Sequence, residues 1–210
     1  MLAEAGGRPV PPARPAGADL RHCTRALGEL RRQGRWQEAL AVLREAQDRG
    51  LELNAIVCSA AVGVCGAKAQ WEAACSLLEE ARQSRILKDA QLYNAAISAC
   101  EKAGQWQQAL RVFEELGRDV EPTEVSFNVL LSAFVKGEQW ESALRLFEDC
   151  HWPRGLLTPG VVTFSVALSA CERGGLWQEA LGLFARLQRR KLDPDVVAYS
   201  AAISACDKSG

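Results

Sequence analysis

Trp36, Trp71, Trp106, Trp140 and Trp177 place one indole roughly every 35 residues along almost the whole chain. A single globular core imposes no such period. A stack of near-identical units does, because each unit must offer the next the same packing group. Two further columns keep step with the tryptophans. Ala39, Ala74, Ala109, Ala143 and Ala180 follow them at three places, and Leu43, Leu78, Phe113, Phe147 and Phe184 one turn later. A small residue and then a large apolar one at helical spacing is what close helix packing requires.

From Leu20 the units run 20–54, 55–89, 90–123, 124–160 and 161–195, with a partial unit at 196–210. Unit 90–123 shows their content. Tyr93, Ala96, Ile97 and Cys100 form one apolar helical face, Gly104 supplies a left-handed helix end, and Trp106, Ala109, Leu110, Phe113 and Leu116 form the face of a second helix that Pro122 stops. Each unit is expected to be a helical hairpin. Helices of about 13 residues are marginal alone, so stacking must hold them. In unit 124–160 the run His151-Trp152-Pro153-Arg154-Gly155 is extra and is expected to bulge as a loop. Residues 1–19 carry Pro9, Pro11, Pro12 and Pro15 without helical periodicity and read as a flexible tail. They hold no Ser or Thr and have Glu4 near the start, so the usual transit-peptide signature is missing. The chain stops after one helix of the last unit, with Val197, Tyr199 and Ile203 unsuited to an exposed end. The polypeptide is therefore expected to be a fragment, or to be covered there by a protein partner or a further segment.

Composition narrows the function. A net charge of −1 does not advertise a nucleic-acid binder, although local arrangement outweighs the sum. Two histidines leave little for acid–base catalysis, and no apolar run of 18 residues could span a membrane. Cys65, Cys100, Cys171 and Cys206 recur in one place of the unit, and Cys23 and Cys58 in another. Equivalent residues of stacked units should lie about 10 Å apart, too far for a disulfide. With no C-x-x-C pair to hold zinc, the thiols read as small buried groups of a reducing compartment, with no metal or cofactor expected.

A tetratricopeptide repeat would carry its tryptophan early in the first helix, whereas here it opens the second. The first helices begin with an aromatic and a small polar residue: Tyr93-Asn94, Phe127-Asn128, Phe164-Ser165 and Tyr199-Ser200. With Val161-Val162-Thr163 ahead of one pair and Leu192-Asp193-Pro194-Asp195 closing that unit, residues 20–210 resemble pentatricopeptide repeats. Units one and two depart from the pattern, with Cys23 and Cys58 in the aromatic place. The resemblance implies a right-handed all-α solenoid that binds single-stranded RNA, one base per repeat, without catalysis. It implies a mitochondrial or chloroplast protein of RNA processing, stability, editing or translation.

The resemblance also implies site residues. The base-reading pairs would be Thr24 with Asn54, Ser59 with Asp89, Asn94 with Thr123, Asn128 with Gly160 and Ser165 with Asp195, followed by Ser200. Ile56, Val125, Val162 and Val197 would sandwich the bases, while Arg21 and Gln91 depart from the aliphatic choice in that place. A hydroxyl with Asn resembles an adenine reader, a hydroxyl with Asp a guanine reader, and Asn in the first helix a pyrimidine reader, giving 5′-A-G-Y-Y-G-3′. Arg32, Lys68, Lys102, Lys136, Arg173 and Lys208 form a ladder of basic residues near the first-helix ends that could follow phosphates. Each feature has a structural reading: polar residues at helix starts cap orphan N–H groups, and cations at helix ends meet the macrodipole. A protein-binding helical scaffold of tetratricopeptide-like use is the alternative function.

Overall fold

Each repeating tryptophan is the first residue of a helix. The computed structural model describes residues 16–51, 53–84, 86, 90–149 and 158–207. Eleven helices run through the described residues: α1 (Ala16–Gln33), α2 (Trp36–Asp48), α3 (Ala55–Ala67), α4 (Trp71–Gln83), α5 (Gln91–Lys102), α6 (Trp106–Asp119), α7 (Glu124–Lys136), α8 (Trp140–Glu148), α9 (Val161–Gly174), α10 (Trp177–Arg189) and α11 (Val196–Asp207). They alternate as first and second helices of successive hairpins in a right-handed α-solenoid. α1 begins at Ala16, inside the segment expected to be a tail. The extra run around Trp152 lies outside the described residues.

One device makes all five hairpin turns. Two residues before each tryptophan the backbone turns left-handed, at Gly34 (φ 69°), Ala69 (φ 55°), Gly104 (φ 70°), Glu138 (φ 58°) and Gly175 (φ 67°). The next N–H then bonds back to a carbonyl five residues earlier, as Gln105 N–H does to the Cys100 carbonyl at 2.9 Å and Gln139 N–H to the Phe134 carbonyl at 2.9 Å. This satisfies a carbonyl that the ending helix would orphan. The sequence pattern located the turn at Gly104, but Ala69 and Glu138 adopt the same conformation despite their Cβ atoms.

The helices form two unequal layers. First helices pack directly on first helices, α1 on α3, α3 on α5, α5 on α7, α7 on α9 and α9 on α11, and each second helix wedges between its own first helix and the next. Small residues permit this approach: a Cβ added at Gly66 would lie 3.2 Å from Cβ of Ala99 on the neighbouring first helix. Second helices meet through long side chains, with Arg82 of α4 reaching Asp119 of α6 at 3.3 Å and Arg186 of α10 bonding Glu148 of α8. The tighter layer must be the concave one, so the first helices line the groove.

The repeating columns interlock the units. Ala39, Ala74, Ala109, Ala143 and Ala180 are all fully buried, as are Tyr93, Ala96, Ile97 and Cys100. Trp106 stacks on Phe134 of the next unit with ring centroids 5.4 Å apart. Its edge also fills the space beside Gly137, where an added Cβ would meet Cδ1 at 2.4 Å, and Trp140 covers Gly174 in the same way. Tyr93 donates its hydroxyl to Asp119 beneath Arg82, which ties α5 to the second-helix layer. Of the large apolar column, Phe184 is only half-buried, against Tyr199 of α11 at 5.2 Å.

All seven described cysteines are free thiols. One approach was not foreseen, because it joins non-equivalent places: Sγ of Cys75 on α4 lies 3.8 Å from Sγ of Cys100 on α5. Burial lifts the Cys58 and Cys65 thiols above their ordinary 9.0 and pushes Cys171 up to about 12.

Two stability outcomes follow. Glu138 carries a Cβ in the left-handed region, at a cost of about 1–2 kcal/mol, and glycine returns about 0.4–1 kcal/mol of that as unfolded-chain entropy. Glu138→Gly should therefore raise stability by about 0.5–1 kcal/mol in urea denaturation, whereas Gly104→Val should lower it. The raised thiol values carry a sign as well. The folded chain holds these protons while the unfolded chain releases them, so their contribution is intact below pH 9 and is lost as pH rises towards 12. The Tm should fall by several degrees between about pH 8.5 and 10.5, and Cys171→Ala should flatten that dependence.

Candidate functional site in the first-helix groove

Two polar columns line the groove, and they do different work. The last residue of a unit sits just before the next first helix and caps it. Asn54 Oδ1 accepts from Val57 N–H at 2.9 Å, Thr123 Oγ1 from Ser126 N–H at 3.2 Å, and Asp195 Oδ1 from Ala198 N–H at 2.7 Å. Thr123 and Ser126 close a reciprocal capping box. Asn54, Thr123 and Asp195 therefore do act as caps, whatever else they contact. The first-helix column is different. Ser59, Asn94, Asn128, Ser165 and Ser200 lie about one turn inside their helices, and Thr24 lies deep inside α1, so none can cap.

Half of the first-helix column is unsatisfied. Ser59 Oγ, Asn94 Oδ1 and Asn128 Oδ1 are buried with no hydrogen-bond partner. Thr24 and Ser165 instead return their hydroxyls to the Leu20 and Val161 carbonyls at 2.9 Å. Ser165 also donates to Asp195 at 2.8 Å, joining the two members of one expected pair directly. Thr24 and Asn54 share the lining of a cavity of about 600 Å³ with Arg21 and Ile56. Thr123 is turned to its capping box, with no bond to Asn94. Gly160 has no side chain, and Asp89 lies outside the described residues.

Beside the polar column runs an apolar one. Ile56, Val125, Val162 and Val197 are 62%, 60%, 57% and 54% exposed. Large aliphatic groups left open to the same degree in units two, four, five and six form a series of flat apolar ledges. Exposed Arg21 and Gln91 occupy the same place in their units. Between α3 and α5 these columns enclose a cavity of about 290 Å³, lined among others by Arg31, Ile56, Ser59, Gln91, Ser98 and Lys102.

The basic ladder is less regular than its spacing suggested. Arg32, Lys102 and Arg173 are exposed with no ion pair among the described residues. Lys136 is bound at 2.8 Å by Glu101 of the preceding unit, so its charge is largely cancelled. Lys68 leans over the preceding turn, its Cε only 2.0 Å from where a Cβ on Gly34 would stand. Lys208 lies outside the described residues. Sequence reasoning missed Arg25 and Arg31, which line the groove at its first unit. For Arg25 the signal was its helical spacing from Arg21. It also missed the floor of small residues, Gly63, Ser98 and Ser132, one per unit.

The described helices and their groove define a helical-repeat solenoid with a polar, periodic inner face. The sequence matches the PPR repeat family over residues 88–136 and the PPR repeat over residues 125–151 and 162–192. Residues 88–151 and 162–192 thus carry PPR repeats, and over them the chain resembles pentatricopeptide repeat proteins. No curated protein sequence matches it. Among solved structures, it is similar to PPR10 in complex with an 18-nucleotide psaJ RNA element, with a TM-score of 0.78, 19% identity, and coverage of 91% of this chain and 28% of that one. PPR10 from maize is 32% identical at a TM-score of 0.65, over 90% of this chain and 27% of that one. The PPR domain of Arabidopsis thaliana protein-only RNase P 1, in complex with tRNA, is 12% identical at a TM-score of 0.68, over 90% of this chain and 99% of the domain. The chain thus spans about a quarter of PPR10.

The two polar columns should separate in stability measurements. Asn54→Ala and Thr123→Ala remove caps and should each cost about 1 kcal/mol. Ser59→Ala removes a buried, unbonded hydroxyl and should be neutral or stabilising. A loss at Ser59 as large as at Asn54 in thermal unfolding would mean that this hydroxyl holds the fold together.

Proposed function

We propose that the groove binds single-stranded RNA, one base per repeat, in the order 5′-A-G-Y-Y-G-3′ along units one to five. The observation that carries this reading is the set of orphaned polar atoms at Ser59, Asn94 and Asn128. Leaving a polar group buried and unbonded costs about 1–3 kcal/mol, and three such atoms recur at one register facing one groove. A ligand with donors and acceptors on a flat edge would satisfy them. The exposed ledges at Ile56, Val125, Val162 and Val197 suit the faces of the same ligand, since bases stack on apolar surfaces in single-stranded recognition. Exposed Arg32, Lys102 and Arg173, with Arg21, Arg25 and Arg31 at the first unit, would neutralise phosphates.

The RNA complexes of PPR10 and of the Arabidopsis RNase P domain support this reading by their shared fold. By the same family resemblance, the RNA is a mitochondrial or chloroplast transcript, and the role is in its processing, stability, editing or translation. One observation favours a protein partner in addition. Val196, Tyr199 and Ile203 of α11 are 83%, 48% and 67% exposed, although Tyr93, Phe127 and Phe164 in the place of Tyr199 are buried. A helix from a partner or from further chain would cover them.

Selection of the chain against a random RNA pool tests the proposal. The recovered motif should end in G at the place read by Ser165 and Asp195, and Ser165→Asn should move that place to a pyrimidine at a cost of about 1–3 kcal/mol for the original base. Affinity should fall steeply with salt, and duplex RNA should not compete. An unchanged motif in the variant would sink the assignment of Ser165, and no enrichment in either pool would turn the groove into a protein-binding surface.

A further inference from the structure

The fourth unit lacks the second member of its pair, because its last residue is Gly160. The structure fills that gap from elsewhere. Glu124, the first residue of the same unit, turns its carboxylate across to the start of α9, where Oε1 accepts from Gly160 N–H at 3.0 Å and from Thr163 Oγ1–H at 2.9 Å. A Cβ added at Gly160 would lie 2.7 Å from that same oxygen. The carboxylate therefore occupies the space where a side chain at 160 would begin, and the missing Cβ is what admits it. Oε2 of Glu124 has no hydrogen bond among the described residues. Glu124 lines a groove cavity of about 410 Å³ together with Val125, Asn128 and Val162, one of the apolar ledges lying on each side of it.

We infer that Glu124 takes the place of Gly160 as the second base-selecting group of this unit, and that it makes the unit choose uracil over cytosine. The inference rests on the base-reading function proposed above. Glu124 and Asn128 are four residues apart on α7 and so share one helix face. A carboxylate only accepts hydrogen bonds, so without bonding Asn128 directly its charge still favours the Nδ2 end of that amide on its side and the Oδ1 end towards the ligand. Asn128 Oδ1 is indeed buried and without a partner. A lone acceptor directed at the Watson–Crick edge of a pyrimidine is matched by the N3–H of uracil. Cytosine brings an unprotonated N3 to the same place, and two facing acceptors leave both unsatisfied. Glu101, the other acid lining this cavity, is tied to Lys136 at 2.8 Å.

The test compares the full chain and its variants on RNAs of sequence A-G-Y-U-G and A-G-Y-C-G in a longer unstructured strand. The unsubstituted chain should prefer uracil at the fourth place by about tenfold, the value of one base contact. Glu124→Gln keeps an oxygen for Gly160 N–H and Thr163 while removing the charge, so the fold should persist by thermal unfolding and the preference should shrink to within about twofold. The double variant Glu124→Ala with Gly160→Asp returns a carboxylate from the usual place and should restore it. An undiminished uracil preference in Glu124→Gln would overturn the inference. Indifference at the fourth place in the unsubstituted chain would also overturn it, while selection at the first, second and fifth places left the base-reading function standing. No selection at any place would remove both.

Discussion

Everything else in the structure depends on how closely the first helices approach one another. Hydrophobic contact alone would let two layers of helices stack straight. Here the residues between first helices are small, as at Gly66 facing Ala99, whereas second helices are held apart and joined through arginine–carboxylate reach. One layer is therefore shorter than the other, and the stack must curve towards the first helices. The tryptophans complete the constraint. Trp106 fits the space left by Gly137 and the face of Phe134, and Trp140 covers Gly174, so the step from one unit to the next is set by shape as well as by burial.

That close approach creates the chemistry of the groove. A polar side chain on an isolated first helix would be bathed in water. Squeezed between neighbouring first helices, the same group loses its water without gaining a partner, as Ser59, Asn94 and Asn128 do. The stack bears this cost because burial elsewhere is ample: the whole apolar face of α5 is inaccessible to solvent. An unsatisfied atom also discriminates better than a solvated one, because the wrong ligand leaves it unbonded in a dry site while the right one removes an existing penalty. Stability and selectivity thus pull against each other at the same atoms.

Most of the architecture was legible because it is written in periods. The indole, alanine and large apolar columns fixed helix positions and phase, and the tryptophan openings were right in all five second helices. Less was legible at the site. Residue type placed Asn54 and Asn94 in the same class, yet one caps a helix and the other lies a turn inside one with its acceptor unbonded. That difference depends on a shift of a few residues relative to a helix start. Contacts between non-equivalent positions were invisible for a simpler reason: the Cys75–Cys100 approach and the bridge from Glu124 to Gly160 join places that no period relates. Lys136 kept its period but lost its free charge to Glu101, a partner only the packing of α5 on α7 could reveal.

The net charge of −1 is compatible with the proposed RNA-binding role of the groove because of where the charges stand. Arg21, Arg25 and Arg31 line the groove at α1, while Glu101 and Glu124 line the cavity at α7. A polyanion entering such a groove is attracted first to the α1 end, where counterion release is largest. Towards α7 the long-range attraction fades, and what remains is the match of individual donors and acceptors. On the proposed function, attraction that is blind to sequence would be strongest at the first unit, and towards the later units the hydrogen-bonding test would weigh more. Acids inside a nucleic-acid groove are then no contradiction. With Glu101 tied to Lys136, Glu124 would weaken non-specific adhesion near Asn128, so a base that failed to bond there would gain little from charge alone.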